Sequence, residues 1–300
     1  MRRLLMASVA AVGLSTSIGA ALAADLPVYT KAPPLAPYYN WTGFYVGADI
    51  GYAWKDPTVT FTPNDSVAAN FLNGGVGGPV APISFNDHGV IGGVDVGYNW
   101  QFNRSWLVGI ETDFNVASLE GQGTSSTLGG PSGPVCDKNN IRDNDCAGRL
   151  VSADQEIMWF GTLRARAGWL ATNDLLLYGT GGFAYGKISE SVIASNNGPT
   201  PYSNSNGVVS VVCASGGVCY QGSSDFIGTG WTAGGGMEYH VPGSAASIKL
   251  EYLFVDLGSG GVVNAIAQKV VAGTGASSFG ANYPNVEFNT VKLGVNWKFQ

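Results

Sequence analysis

From Trp41 to Trp54 the sequence WTGFYVGADIGYAW alternates at period two. Thr42, Phe44, Val46, Ala48, Ile50, Tyr52 and Trp54 fall on one face, and Gly43, Tyr45, Gly47, Asp49, Gly51 and Ala53 on the other. An ordinary strand runs to roughly 5 to 6 residues, whereas one tilted through a bilayer needs about 9 to 11, and tryptophans at both ends suit the two membrane interfaces. The same alternation returns at about Asp87 to Phe102, Trp106 to Val116, Gln155 to Leu170, Leu175 to Lys187, Phe226 to His240, Ser247 to Leu257 and Glu287 to Phe299. Only Leu175 to Lys187 alternates too weakly for its faces to be assigned. Eight strands are therefore predicted. Short turns follow the second, fourth and sixth, and long connections at 55–86, 118–153, 188–225 and 258–286 follow the others. Short turns at one end and long loops at the other predict an all-β fold, an eight-stranded antiparallel up-and-down transmembrane β-barrel with long extracellular loops and both termini periplasmic. A ten-strand version would add Val208 to Val212 and Val218 to Tyr220, which are too short to cross.

The N-terminus changes the picture by supplying an address. Arg2 and Arg3, an apolar run from Leu4 to Ala20 and the A-x-A site at Ala21 to Ala23 predict a secretory signal peptide at residues 1–23. Residues 24–40 carry Pro27, Pro33, Pro34 and Pro37 and predict an extended periplasmic linker before the barrel at 41–300. No later run is apolar and long enough for a transmembrane helix. Charged residues make up only 12% of the chain, against 44 glycines and 11% aromatics, a balance that suits a lipid-facing sheet. The net charge of −6 gives no electrostatic case for nucleic acid.

The inward faces decide what such a barrel could do. Asp49, Asp95, Glu111, Asp113, Glu156, Glu238 and Glu251 are predicted to face Arg164, Arg166, Lys249 and Lys292 across the lumen. Charges in a narrow, low-dielectric interior persist only when paired and hydrogen-bonded, so these residues are read as a polar plug. A selectivity filter in a pore for small solutes is the alternative. The chain has two histidines, His88 and His240, at opposite rims and too far apart for one site, and neither has a nucleophile and carboxylate at motif spacing. No catalytic residue, metal site or cofactor is expected, and an outer-membrane lipid-modifying enzyme is the weakest reading. The four cysteines fall in two loops and predict local disulfides, Cys136 with Cys146 and Cys213 with Cys219. The acidic run DKNNIRDND between the first pair fails the EF-hand pattern, because Ile141 sits at its fifth position and no glycine follows.

Several segments together resemble one family. They are ALA followed by ADLP, the opening WTGFYVGADIGYAW, GTLRARAGW, LLLYGTGGFAYG, KLEYLFVDLG and the closing VKLGVNWKF. In this combination the chain is similar to the RopB-type outer-membrane immunogenic proteins of alpha-proteobacteria, small porin-like barrels, over residues 21–300 apart from the long loops. The resemblance implies a non-enzymatic structural protein and surface antigen of a Gram-negative outer membrane. Its expected partners are outer-membrane lipid, lipopolysaccharide and the barrel assembly machinery, and it is expected to be monomeric. Such barrels usually end on an aromatic residue, whereas here Phe299 is followed by Gln300.

Overall fold

In the computed structural model the described residues are 38–73, 78–127, 148–198 and 200–299. The expected signal peptide, the linker as far as residue 37 and the Cys136 and Cys146 pair lie outside them. Eight long strands carry the fold: β1 (Gly43–Lys55), β2 (Asp87–Gln101), β3 (Trp106–Thr127), β4 (Arg149–Leu170), β5 (Leu175–Asn196), β6 (Val218–His240), β7 (Ala246–Asp256) and β8 (Glu287–Lys298). Each pairs antiparallel with the next, and β8 pairs back onto β1, so the ladder runs in a closed ring through all eight.

The tight turns follow from their residues. Asn103 Oδ1 accepts hydrogen bonds from the Ser105 and Trp106 amides, Thr172 Oγ1 accepts from the Leu175 amide, and Gly243 takes a φ of 82° between β6 and β7. Alternation sorts the side chains of each strand. Phe44, Ile50, Val94, Ile110, Val116, Leu163, Ile227, Leu293 and Trp297 stand exposed around the outside, while charged and small residues turn inward. In water this outer face would be an outsized apolar patch; in hydrocarbon it is the surface the solvent requires.

β3, β4 and β5 each have 22 residues and β6 has 23, longer than the alternation predicts. At about 3.3 Å per residue they reach well past a hydrocarbon core about 30 Å thick. The long connections add to this projecting end. Strands Thr58–Pro63, Ile83–Ser84, Val262–Ala267 and Ser278–Asn282 extend the sheet from β6, and the helix α1 (Ser66–Asn73) packs against it. Val59, Phe71, Phe85, Tyr202, Tyr220 and Phe279 are among the buried side chains of a separate hydrophobic core there. The described parts of the long connections therefore form a packed cap over the ring. Val209–Cys213 pairs with Tyr202–Ser205 in a small sheet of its own, and Val218 to Tyr220 simply begins β6, so neither forms an extra strand of the ring. Cys213 and Cys219 are disulfide-bonded, Cα to Cα 5.0 Å, joining that small sheet to the start of β6. Both cysteines thus sit in strands.

Candidate functional site

The lumen brings together ten of the predicted residues. Arg164, on β4 opposite Glu111 of β3, lies 2.5 Å from Glu111, 2.8 Å from Asp113 and 2.9 Å from Glu251. Arg166 reaches Glu238 at 2.8 Å and Glu111 at 3.4 Å, lies 4.1 Å over the Tyr178 ring, and donates to the Tyr45 hydroxyl, which itself donates to Glu111. Lys249 lies 3.0 Å from Asp95 and 3.2 Å from Glu111; Lys292 lies 3.4 Å from Asp49 and 3.3 Å from Asp113. All ten are buried, and Arg164, Lys249 and Lys292 are each 1% exposed. Glu111, Asp113 and Glu251 converge closely enough to hold a metal ion, but the guanidinium of Arg164 contacts all three.

Room for these side chains comes from glycine on the neighbouring strand. Gly47 pairs with Asp95, Gly97 with Glu111, Gly51 with Lys292, Gly109 with Arg166, Gly182 with Arg164, Gly236 with Glu251 and Gly294 with Lys249. A Cβ on Gly47 would come within 2.7 Å of an Asp95 carboxylate oxygen, and one on Gly97 would collide with the Tyr45 hydroxyl. The alternation of glycine with charge is the sequence signature of a filled lumen: a small residue is needed wherever a long side chain lies across the wall.

Glu156 departs from the prediction. It is half-exposed on the outer side of β4, between Glu120 and Ser189, whereas Ile157, predicted outward, is fully buried. The β4 to β5 register shifts between Ile157 and Trp159, a bulge that reverses which side chains face the lumen. Counting back by twos from Arg164 therefore puts Glu156 on the wrong face.

Sequence reasoning missed three further layers. Beyond the charged network the interior is apolar, with Ala53, Ile91, Leu119, Ile157, Phe160 and Phe288 among its buried members. Past these lies a second polar group, where Lys55 pairs with Asp87 at 2.9 Å and donates to Gln155, which in turn donates to Glu190 at 2.7 Å. At the opposite end, Trp41 is 2% exposed among Leu107, Leu170, Leu176 and Tyr178. Tyr39 stacks on His240 with ring centroids 3.5 Å apart, and the Lys298 ammonium donates to the Asn40 and Thr42 carbonyls. Residues 39 and 40, predicted as the end of a linker, are thus packed against the ring. His240 is held by Asp174 at 2.8 Å and the Ser244 carbonyl at 3.0 Å, while His88 is exposed at the far rim.

Comparison with known proteins places this architecture. The chain is 31% identical over 304 residues to the 31 kDa outer-membrane immunogenic protein of Brucella melitensis, covering 100% of both chains, and equally so to its Brucella suis counterpart. Among solved structures it aligns with the outer membrane protein OprG from Pseudomonas aeruginosa at TM-score 0.37 and 12% identity, covering 86% of this chain and 97% of that one. It aligns with Ail, the attachment invasion locus protein of Yersinia pestis, at TM-score 0.32 and 14% identity, covering 86% and 99%. The family described as the outer membrane protein β-barrel domain matches residues 17–299. With its strands ringed, its outer face apolar and its inner face charged, the chain belongs to the outer membrane protein β-barrel domain family.

Proposed function

We propose that this chain is a non-enzymatic structural protein of the Gram-negative outer membrane, an eight-stranded transmembrane barrel that stays closed and carries a folded cap on the cell surface. The observation that carries this reading is the filling of the interior. Charged, apolar, polar and again apolar layers follow one another from Arg166 to Phe279, and each excludes what the next would admit. Water and ions would have to break a buried ion-pair network and then cross hydrocarbon side chains, each an expensive step. The short turns and both termini face the periplasm in this arrangement, and the cap faces outward. The immunogenic character of the Brucella relatives supports display of the cap as a surface antigen. The partners are outer-membrane lipid, lipopolysaccharide and the barrel assembly machinery, and the working unit is a monomer.

Planar-bilayer recording tests this reading against a pore for small solutes. Purified protein is expected to give no large, steady conductance. Long-lived channels whose ion preference is unchanged in Arg164→Ala would overturn it in favour of the pore.

A further inference from the structure

We infer that the outer rim carries a binding site for a neutral glycan, in the seam where the first and last strands part. The β1 to β8 pairing stops at Trp54 with Asn289. On either side the ladders go further, to Lys55 with Asp87 and to Asp256 with Glu287. Beyond the seam β1 turns away at Pro57 and β8 is entered from Pro284, neither of which can donate a backbone hydrogen bond across the gap. A cavity of about 600 Å³ occupies this split, within the usual range of small-molecule sites, roughly 300 to 1,000 Å³.

Its lining selects a chemical class. Trp54 and Phe254 give ring surface, while Asp56, Asn285, Glu287 and Asn289 give carboxylate and amide groups. Asp56, Asn285 and Glu287 are exposed. Flat apolar rings beside planar carboxylates and amides match a pyranose, whose CH face is apolar and whose rim is a row of hydroxyls that both donate and accept. The one ammonium at the cavity, Lys55, is buried and committed to Asp87 and Gln155. With two carboxylates exposed and no free cation in the lining, the site disfavours phosphate and other anions.

The cavity's height also fits. Just below it Val291 and Tyr252 are exposed members of the apolar belt, and Tyr252 donates to Asn289 at 2.6 Å. The site therefore stands where hydrocarbon gives way to the sugars of the outer leaflet, a placement that rests on the membrane orientation proposed above.

Isothermal titration of the full chain in detergent tests the site with two kinds of probe: neutral glucose, galactose and mannose hexasaccharides, and a neutral, phosphate-free O-polysaccharide cleaved from lipopolysaccharide. The expected result is saturable binding of at least one probe, weakened at least tenfold both in Trp54→Ala and in the double variant Asp56→Ala with Glu287→Ala. Binding by the neutral O-polysaccharide alone makes the surrounding leaflet the source of the sugar; binding by a free hexasaccharide makes it a soluble glycan. No binding, binding unchanged in both variants, or binding of inorganic pyrophosphate in preference to sugar would overturn the site. Electrophoretic mobility before and after boiling separates the two failures. Wild type and variants that migrate faster unboiled keep the barrel reading even if sugar binding fails, and an unboiled wild type with no such shift defeats the barrel instead.

Discussion

At the scale of the residue, the lumen depends on each cation serving several carboxylates. Arg164 contacts three, so Arg164→Ala leaves Glu111, Asp113 and Glu251 crowded together with less compensation. Removing one partner from a buried pair costs roughly 3 to 5 kcal/mol, and the expected outcome is an earlier midpoint in denaturant, read from loss of the fast unboiled band. The glycines make a sharper test because the two faces differ. A Cβ at Gly93, on the lumen side, would lie 2.5 Å from Asn115 Oδ1 and 2.7 Å from the Phe114 carbonyl. At Gly92, one residue away and outward, the nearest atom is the Asp49 carbonyl at 3.7 Å. Gly93→Ser should therefore lower the unfolding midpoint by clearly more than Gly92→Ser; the reverse order would mean that the faces are inverted. The inward placing of Asp49, Asp95 and Glu111 is legible in the sequence, since plain alternation carries it. The placing of Glu156 is not, because a bulge depends on how two strands pair and leaves no mark in one strand's own pattern.

At the scale of the element, α1 shows how the cap is fastened. Asp65 caps this helix, its Oδ1 accepting from the Val67 and Ala68 amides, and its carboxylate also accepts from Ser277 Oγ and the Ser278 amide, far along the chain. Burial pushes its pKa up, but these four hydrogen bonds outweigh it and hold the carboxyl below the usual aspartate value. A depressed pKa adds stability that is present above the unfolded-state value of about 3.9 and lost as pH falls through the folded-state value. Proteolysis of the cap should thus accelerate on acidification below about pH 4. Asp65→Ala should cost about 0.5 to 2 kcal/mol of local stability at neutral pH and flatten that acid dependence. Reducing the bond between Cys213 and Cys219 should likewise speed cleavage in the cap while leaving the ring's heat-dependent mobility unchanged, because the bridge closes a short local loop. None of the cap was legible as a folded unit. Stretches such as Gly121 to Thr127 look like loop by composition, yet they continue β3 because β4 pairs with every residue of them.

At the scale of the whole molecule, the ring was legible because hydrocarbon imposes a strict rule on every strand that crosses it. The same rule does not extend beyond the bilayer, which is why the predicted strands stop near Val116, Gln155, Lys187 and Phe226 while the observed ones continue. The order in which the lumen charges occur along the chain has a consequence for assembly. Apart from the Lys55 and Asp87 pair farther out, which is complete within β1 and β2, the charges that the first three strands bring to the network around Arg164 are all acids: Asp49 on β1, Asp95 on β2, Glu111 and Asp113 on β3. Their cations arrive later, Arg164 on β4, Lys249 on β7 and Lys292 on β8, and the contact of Lys292 with Asp49 spans 243 positions. A chain truncated after β3 would have to place four uncompensated carboxylates in hydrocarbon, which is prohibitive. Insertion is thereby tied to completion: the early strands become compatible with the membrane only when the last strand reaches the first, so fragments are rejected by their own charge.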